Sequence, residues 1–549
     1  MWCIGSLFRE SKFSAIYSIV PTSTDHPAPS LWRPLKTPTF RNLLMADIAS
    51  DVGTFMQTVG AAWLMVSLNA GPTYVALTQT ASALPFFVLA LPAGAIGDIV
   101  DRRKLILFTE TWMLVVALLL AGMILSGLMS PVMLLVLTFA LSAGDALESP
   151  AWRAVLPELV PKKDLAAAAA LNGIEFNFAR AIGPGLAGIL IAAAGVGTAF
   201  LVNAASFFGV IVVIARWKRT VRKQTTPPET LTGATIAGVR YVRYSPAIRA
   251  LIFRSGCVMF FASGLLALLP SVAHSVKNSP VVYGSLLGCF GLGAVLGALL
   301  LQPLRARLST EAVVSVGVVI LGLTSIAAGS LYSLPALTVA MLMGGAAWIM
   351  FISLFNVLIL NLTPDWVRAR VLAVSMLVSQ GAVAAGSAAW GALAGRAGIH
   401  DALLWAGVGT IATAVLGVFL HLPNSNIDVT PWIHWPMPRM VDGAVGADAD
   451  DAGPILVTVE YDVIPEQTSE FLDAIHKYGR IRRRDGASRW GVFRDLEVEN
   501  RYLETFIVHS WAEHLRQHER STQADREFEE RLLRYTRSQP RVRHLASAT

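Results

Sequence analysis

"PAGAIGDIVDRRKLIL", residues 92–107, interrupts a long apolar run with a dense group of charges. Asp98 and Asp101 are followed at once by Arg102, Arg103 and Lys104, and the chain is apolar again from Leu105. About 20 apolar residues are enough to cross a lipid bilayer as a helix. We therefore expect this charged segment to be a short loop at a membrane surface, between two spanning helices.

The composition extends this interpretation to most of the chain. Of 549 residues, 54% are hydrophobic and only 15% are charged, and the mean hydropathy is +0.56. Soluble domains carry about 25% charged residues. The three cysteines (Cys3, Cys257 and Cys289) are too few and too scattered for a disulfide framework or a thiolate metal site. These features favour a multi-pass membrane protein.

Twelve apolar runs of spanning length follow one another along the chain. They lie at residues 42–68, 74–97, 105–128, 131–155, 167–192, 196–216, 248–270, 281–303, 311–331, 334–361, 370–396 and 401–421. Small residues recur within them at every fourth position, as in "GSLLGCFGLGAVLGALL" from Gly284. Because this spacing lets helices approach closely, it indicates a tightly packed bundle.

The loops between these runs alternate in charge. Eighteen basic residues lie on one set of loops, whereas only Lys277 and Arg396 lie on the other set. Basic residues concentrate on the cytoplasmic side of membrane proteins. We therefore expect both termini, the 217–247 loop and the Asp98–Lys104 loop to be cytoplasmic. The same asymmetry accounts for the net charge of +7 without a nucleic-acid partner.

The second half of the apolar region repeats the first. A shift of 203 residues aligns "LPELVPKKDLAAAAALN" (156–172) with "ILNLTPDWVRARVLAVS" (359–375). The same shift places Pro161 on Pro364, Gly183 on Gly386, Gly188 on Gly391 and Gly195 on Gly398. Two six-helix halves with parallel internal similarity are typical of a two-bundle transporter.

Two motifs and the end of the chain resemble known transporters. "GAIGDIVDRRK" (94–104) resembles the major facilitator signature between helices 2 and 3, with Gly94, Asp98, Arg102 and Arg103 matching. It departs from that signature at Ile99, which replaces a basic residue, and at Asp101, which replaces a glycine. "AIGPGLAG" (181–188) resembles the helix 5 motif of the antiporter branch; the matching residues are Gly183, Pro184, Gly185 and Gly188. The usual arginine–glycine motif of helix 4 is absent.

Residues 40–421 as a whole resemble the exporter group that includes the enterobactin exporters. The C-terminal segments "VEYDVIPEQTSEFLDAI", "RIRRRDGASRWGVFRD" and "HSWAEHLRQHERST" resemble the end of the transmembrane secretion effector family. The resemblance implies an all-α membrane protein with twelve transmembrane helices in two six-helix bundles. It implies a multi-pass transporter of the cell membrane, without a cofactor, that exports a small organic molecule such as a siderophore, drug or secreted metabolite in exchange for protons.

Two alternatives remain open at this point. One is an importer on the same scaffold, and the other is a membrane-anchored sensor or enzyme that acts through the C-terminal region. An ATP-driven pump is disfavoured because the chain contains no Gly-Lys pair and so no P-loop.

The expected domain boundaries follow the composition. They are a cytoplasmic N-terminal extension (1–39), the first bundle (40–216), a cytoplasmic inter-bundle loop (217–247), the second bundle (248–422), a linker (423–454) and a cytoplasmic α/β domain (455–549). The last reads as β-α-β-β-α-β, with one continuous second helix from Trp511 to Thr536, which suggests a ferredoxin-like fold. It is similar to dimeric α/β barrels, so dimerisation through this domain is expected.

The charged loop is a candidate gate. Asp98 ends helix 2, and we expect Arg102 to reach Asp145 and Glu148 at the cytoplasmic end of helix 4. A charge cluster of this kind can stabilise one state of a gate and release it in another. The alternative is an ordinary basic loop.

Charges inside the spans are the candidates for proton or substrate binding, since each costs several kcal/mol there. They are Asp51, Glu175, Arg180 and Arg254, of which Glu175 and Asp51 are the favoured proton carriers; Glu110 is expected to reach the interface. The alternative is a structural ion pair. Polar residues of the spans that could line a cavity are Gln57, Asn172, Asn177, Asn356 and Gln380.

In the helix 5 motif, Pro184 removes a backbone hydrogen bond and bends the helix. Gly183, Gly185 and Gly188 are expected to let neighbouring helices approach closely.

Two features of the C-terminal domain complete the sequence-based expectations. His509, His514 and His518 raise the question of a metal, but no third ligand is evident beside the His514–His518 pair. A solvated or dimer-contact helix face without metal is the expectation. Arg482–Arg484 is expected to be a solvated patch.

Overall fold

The computed structural model describes residues 30–217, 231–422, 428–432 and 453–547, without the side chains of residues 91, 95, 97–99 and 231–234. The long helices are α1 (Pro38–Ser67), α2 (Gly71–Ile99), α3 (Arg102–Leu125), α4 (Pro131–Leu159), α5 (Leu165–Ala194), α6 (Val196–Arg216), α8 (Pro246–Val276), α9 (Pro280–Arg305), α10 (Thr310–Ser330), α11 (Leu334–Leu362), α12 (Asp365–Ala397) and α13 (Ile399–Ala412). A shorter helix, α7 (Leu231–Tyr244), precedes α8, and α13 continues through a tight turn into α14 (Leu416–Phe419).

Every predicted apolar run coincides with one of these helices. Eleven helical segments in the described residues are long and apolar enough to cross a membrane. The remaining long helix is α1, which carries Arg41, Asp47 and Asp51 and is therefore less apolar. Part of the predicted inter-bundle loop is also helical, as α7.

The ends of the helices follow from local chemistry. Proline occupies the first turn of α1, α4, α8 and α9, where its missing N–H is not needed. Asp101 caps α3 by accepting a hydrogen bond from the Lys104 backbone N–H at 3.1 Å. Gly195 and Gly398 end α5 and α12 with φ angles of 86° and 99°, which few other residues adopt.

The long helices pack as two groups. Helices α1–α6 form the first helix group, and α8–α13 form the second. Buried apolar side chains fill both groups, and the larger continuous core surrounds α8. We call the end that carries Arg102, Lys162 and Arg368 the basic end.

The internal repeat is visible in how the glycines pack. In α5, a methyl group added at Gly183 would lie 2.7 Å from Phe55 of α1, within the same group. In α12, the equivalent Gly386 packs against the Phe260 carbonyl of α8, again within its own group. Gly188 and its equivalent Gly391 instead face the other group. The 203-residue shift therefore relates structurally equivalent positions.

The two groups touch mainly in the half farther from the basic end. Gly188 lies against Pro280 of α9, and Thr73 of α2 donates a hydrogen bond to the Gly391 carbonyl of α12 at 3.0 Å. Trp63 of α1 stacks on Tyr283 of α9, with ring centroids 6.4 Å apart. A contact near the helix midpoints joins Phe87 to Gly381.

The C-terminal unit is a small α+β fold. Its elements are β1 (Ile455–Asp462), α15 (Thr468–Asp485), β2 (Ser488–Arg494), β3 (Arg501–Val508), α16 (Trp511–Arg520), α17 (Gln523–Leu533) and β4 (Arg541–Ala546). The sheet is antiparallel with the order β2-β3-β1-β4. Alternate residues of β1 and β3 are buried beneath the helices, where Phe471 and Ile475 of α15 complete the core.

The predicted second helix of this unit is broken. Helix α16 ends at Arg520, and the Thr522 hydroxyl and the Asp525 carboxylate form a reciprocal capping box that starts α17. In a continuous helix these backbone N–H groups would bond within the helix. The break leaves them without that partner, and the cap satisfies them.

The C-terminal unit lies against α7 and the start of α12. Arg240 of α7 contacts Glu513 of α16 at 3.2 Å, and the Arg484 guanidinium lies over the Tyr241 ring at 5.3 Å. Arg520 lies 4.5 Å from the ring centroid of Trp366, in the first turn of α12. The unit is thus seated on the basic end of the second helix group.

The expectation of a solvated Arg482–Arg484 patch is wrong. Arg484 binds Asp485 and Asp525 at 2.8 and 2.7 Å, and Arg482 lies 3.5 Å from the fully buried Glu504. Burying carboxylates beneath the helices requires cationic partners, and these arginines supply them.

Candidate functional site

A polar cavity lies between the two helix groups. It has a volume of about 230 Å³ and is lined by residues of α1, α2, α4, α8, α9 and α12. Its polar lining residues are Thr54, Gln57, Thr58, Thr78, Gln79, Ser82, Thr138, Ser142, Asp145, Tyr283 and Gln380. A concave site with convergent polar groups between packed helices is the usual form of a small-molecule site.

Two of the predicted cavity residues line this cavity. Gln57 is held in place by Asn203 of α6, whose amide donates to the Gln57 carbonyl oxygen at 2.6 Å. Gln380 enters the cavity from α12. Asn172 instead lines a separate small recess beside Asp47, Asn177 donates to its own helix at the Gly173 carbonyl, and Asn356 is exposed.

Next to the cavity, six carboxyl groups gather in the first helix group. We call Asp47, Asp51, Glu110, Asp145, Glu148 and Glu175 the carboxylate cluster. At a rise of 1.5 Å per residue, its members other than Asp145 lie roughly 12–20 Å from the basic ends of their helices. Asp145 also lines the cavity, so the cluster and the cavity adjoin.

The cluster contains two close carboxyl pairs. Asp51 of α1 lies within hydrogen-bonding reach of Glu175 of α5, so the structure brings together the two candidates favoured as proton carriers. Glu110 of α3 lies in the same way beside Glu148 of α4. Two carboxylates in such contact repel each other, so a shared proton stabilises each pair.

Neutral donors and one further carboxyl group complete the cluster. The Thr109 hydroxyl donates to Glu148 at 2.7 Å, and the Trp152 indole N–H donates to Asp47 at 3.3 Å. Asp47 was not identified from the sequence, although its position four residues before Asp51 places both on one helix face. Glu110 does not reach the interface as expected; it is 3% exposed because its carboxyl group turns inward to Glu148.

The two candidate arginines lie apart from this cluster. Arg180 lies halfway along α5, partly buried, and no carboxylate forms an ion pair with it in the part of the chain that the structure describes. Arg254 is 3% exposed and binds Glu311 of α10 through two hydrogen bonds of 3.0 and 2.6 Å. It also donates to the Leu420 carbonyl at 2.9 Å, so it joins α8, α10 and the end of α14.

The charged loop of the gating motif contacts other partners than those predicted. Arg102 binds Glu158 at 2.7 Å and the Ala154 carbonyl at 3.1 Å, rather than Asp145 or Glu148. Those two carboxyl groups lie deeper in α4, beyond the reach of a side chain at the first residue of α3. Arg103 donates to the carbonyls of Ile214 and Ala215 at the end of α6.

The remaining motif residues separate into packed and open positions. Gly94 has open space where a side chain would lie, and the Asp98 side chain lies outside the described residues. In the helix 5 motif, Gly183 packs on α1 and Gly188 on α9, whereas Gly185 faces open space, so close packing does not explain it. The Pro184 carbonyl lies against Gly284 of α9.

Comparison with known proteins places this architecture in a family. The family model described as "Transmembrane secretion effector" matches residues 29–549, which include the C-terminal unit. The chain is 26% identical to the multidrug efflux pump Tap of Mycolicibacterium fortuitum over 393 residues, which are 69% of this chain and 94% of that protein. It is 27% identical to the enterobactin exporter EntS of Salmonella choleraesuis over 272 residues, 48% of this chain and 64% of that protein.

Solved transporters share the fold at low sequence identity. A bacterial homologue of the human lysosomal transporter Spinster, in an inward-facing and unoccupied conformation, superposes with a TM-score of 0.56 at 14% identity, covering 71% of this chain and 96% of that one. The nucleoside transporter NupG superposes with a TM-score of 0.59 at 11% identity, covering 70% and 100%. With its paired helix groups, its polar cavity and a family match over residues 29–549, the chain belongs to the transmembrane secretion effector family of major facilitator membrane transporters.

Proposed function

We propose that the protein is a secondary active transporter that exports a small organic molecule by alternating access, driven by inward proton movement. The observation that carries the proposal is the carboxylate cluster beside the polar cavity. Buried carboxyl pairs such as Asp51–Glu175 can take up a proton from one side and release it to the other as the helix groups move. The efflux pump and exporter among the relatives support the outward direction.

The proposal includes a topology. All twelve long helices, α1 included, cross the cell membrane, with the basic end and both termini in the cytoplasm. The two bundles are residues 40–216 and 248–422, joined by the cytoplasmic segment 217–247. In this orientation the helix groups meet on the outer side, so the structure corresponds to an inward-facing state.

The charges have distinct roles in this scheme. Asp51 and Glu175 carry the proton, and Arg180, which has no carboxylate partner among the described residues, attracts an anionic group of the substrate. Arg102 and Glu158 fasten the inner ends of α3 and α4, so that the first bundle moves as a unit. Asp98 is assigned to the gate on its motif alone.

The C-terminal unit is proposed to be a ferredoxin-like cytoplasmic domain, following a linker at 423–454, that pairs with a second copy. The sheet face away from the helices carries a row of cross-strand apolar neighbours, Leu545, Leu456 and Ile507. Two apolar side chains of this face are largely exposed: Leu545 is 49% exposed and Phe493 is 59% exposed. Packing two such faces together would bury this apolar surface, as in dimeric α/β barrels.

Substrate and direction are tested together by untargeted mass spectrometry of medium and cell extract from a host strain with and without the protein. Export moves a compound from cell to medium when the protein is present. Depletion from the medium would instead establish an importer. Absence of any difference under iron-replete, iron-starved and drug-challenged growth would overturn transport in favour of a sensor acting through the C-terminal domain.

Proton coupling is tested with Glu175→Gln in proteoliposomes, once the exported compound is known. We expect uptake driven by a pH gradient to fall at least tenfold, because the amide cannot carry a proton, while exchange of labelled for unlabelled compound continues. Asp401→Asn is the matched control and should behave as wild type. Asp401 lies in the first turn of α13, far from the basic end. A Glu175→Gln protein that still responds fully to the pH gradient would contradict proton coupling through this residue.

A further inference from the structure

Three histidine side chains of the C-terminal unit meet at one point. His514 and His518 lie one turn apart on α16, and His544 lies on β4. One ring nitrogen from each lies within 4.8 Å of the other two. The sequence had offered no third ligand for the His514–His518 pair; the fold supplies one because β4 returns beside β1, beneath α16.

The spacing of the imidazoles suits a tetrahedral cation. The Nε2 atoms of His514 and His518 are 3.2 Å apart. Two nitrogens bound to Zn²⁺ at 2.0–2.1 Å in tetrahedral geometry lie about 3.3 Å from each other. The His544 nitrogen, which lies up to 4.8 Å from the other two, must move by about 1.5 Å to reach the same separation, which a side chain on an edge strand can do.

The environment of His514 prepares it as a ligand. Gln517 lies 3.3 Å from its Nδ1 and accepts a hydrogen bond there, which leaves the Nε2 lone pair directed at the other imidazoles. The Nε2 atom of His544 is buried and has no hydrogen-bond partner among the residues that the structure describes.

Carboxylates offset part of the positive charge of the nearby arginines, which reduces their repulsion of a bound cation. Arg516 and Arg520 both bind Glu513, at 2.9 and 2.7 Å. Arg482 lies beside Glu504. Trp511 packs against the rings of His514 and His544, with centroids 5.5 and 5.7 Å away, and supplies an apolar wall that strengthens charge–ligand interactions.

We propose that His514, His518 and His544 form a binding site for a divalent transition-metal ion of the Zn²⁺ type, with water in the fourth position. Imidazole is the ligand that zinc, copper and nickel ions share, whereas Mg²⁺ and Ca²⁺ prefer oxygen. The site lies on the helix whose Glu513 and Arg520 contact the transporter helices, so it is held at the junction between the C-terminal unit and the membrane-embedded part.

The test is Zn²⁺ titration of the full-length protein, purified without a polyhistidine tag, by competition with a chromophoric chelator. We expect one equivalent of Zn²⁺ per chain, and X-ray absorption should report nitrogen ligands at about 2.0–2.1 Å. His544→Gln, on the edge strand, should weaken Zn²⁺ binding by about tenfold to a hundredfold. Gln517→Leu, which removes the hydrogen bond to His514, should weaken binding by roughly tenfold.

The matched control is His509→Gln, which removes a histidine close in sequence that does not join the cluster. Its Zn²⁺ affinity should equal that of wild type. Co²⁺ absorption provides a second readout, since a four-coordinate site gives visible bands that His518→Gln should abolish. Absence of stoichiometric Zn²⁺ binding by the wild type, or equal binding by wild type and His544→Gln with the far-ultraviolet circular dichroism unchanged, would overturn the proposal.

Discussion

A buried arginine in a membrane helix needs acceptors for its fixed array of donors. Arg254 has them in the Glu311 carboxylate and the Leu420 carbonyl, so its charge serves to join three helix ends. Arg180 lacks a carboxylate partner in the described part of the chain. Two arginines that look alike in the sequence thus differ in their surroundings, which is why we propose Arg180, and not Arg254, for binding an anionic group of the substrate.

This difference predicts the outcome of replacing Arg254. Arg254→Gln leaves Glu311 beside apolar helices without its cation, and we expect a loss of about 1–3 kcal/mol in the free energy of unfolding, reduced from the fully buried case because Glu311 is partly exposed. Thermal unfolding of the detergent-purified protein measures it. Arg396→Gln, an exposed arginine of α12, serves as the control. An unchanged midpoint for Arg254→Gln would show that the ion pair does not stabilise the fold.

At the scale of elements, α5 and α12 are the repeated pair that joins the two helix groups. Each uses one glycine to pack within its own group and, five residues later, another to face the opposite group. Around Gly188 the neighbouring atoms belong to the backbone of α9, which cannot turn aside as a side chain can. Closure of the outer end therefore depends on the absence of a side chain at this position.

Gly188→Leu is accordingly expected to keep the outer end from closing and to abolish transport. Ala76, which is fully buried against Gly391 in this state, provides a sensor when changed to cysteine in a chain lacking Cys3, Cys257 and Cys289. Labelling of this cysteine by a membrane-impermeant thiol reagent should rise several-fold.

The control for this experiment is Gly185→Leu, three residues away, where the structure leaves open space. It should leave both labelling and transport close to wild type. Equal labelling in the parent and in Gly188→Leu, with transport retained, would contradict the role of Gly188 in closure.

At the scale of the whole molecule, the C-terminal unit has two surfaces that differ in what they contact. One surface, through Arg240, Glu513, Trp366 and Arg520, rests on the basic end of the second helix group. The sheet face carrying Leu456 and Ile507 points away from the helices of the unit, and we propose that it pairs with a second copy. A dimer formed there would place two transporters side by side without altering either cavity.

Ile507→Asp is predicted to break this dimer. It places a charge in the apolar row beside Leu456, and mass photometry in detergent or native mass spectrometry should show a shift from dimer to monomer. Leu496→Asp is the control, since Leu496 is 96% exposed on a loop of the same unit. A wild-type protein that is monomeric at micromolar concentration would refute dimerisation through the sheet.

The sequence by itself predicted twelve apolar segments that coincide with long helices, with most ends correct to within a residue or two. It also predicted the strands and the first helix of the C-terminal unit, and the repeat that relates Gly188 to Gly391. These features depend on local hydrophobicity and on glycine and proline positions, which are properties of short segments. It also identified Asp51 and Glu175 as candidate proton carriers, because a charged residue within an apolar run can be recognised from the sequence alone.

Only the tertiary structure decided the partners of these charges. Arg102 meets Glu158 rather than Asp145, Glu110 turns inward to Glu148, and His544 rather than His509 joins His514. The physical reason is that each partner comes from a different helix or strand. Its distance and direction depend on how whole elements are packed, and no spacing along the chain records that geometry.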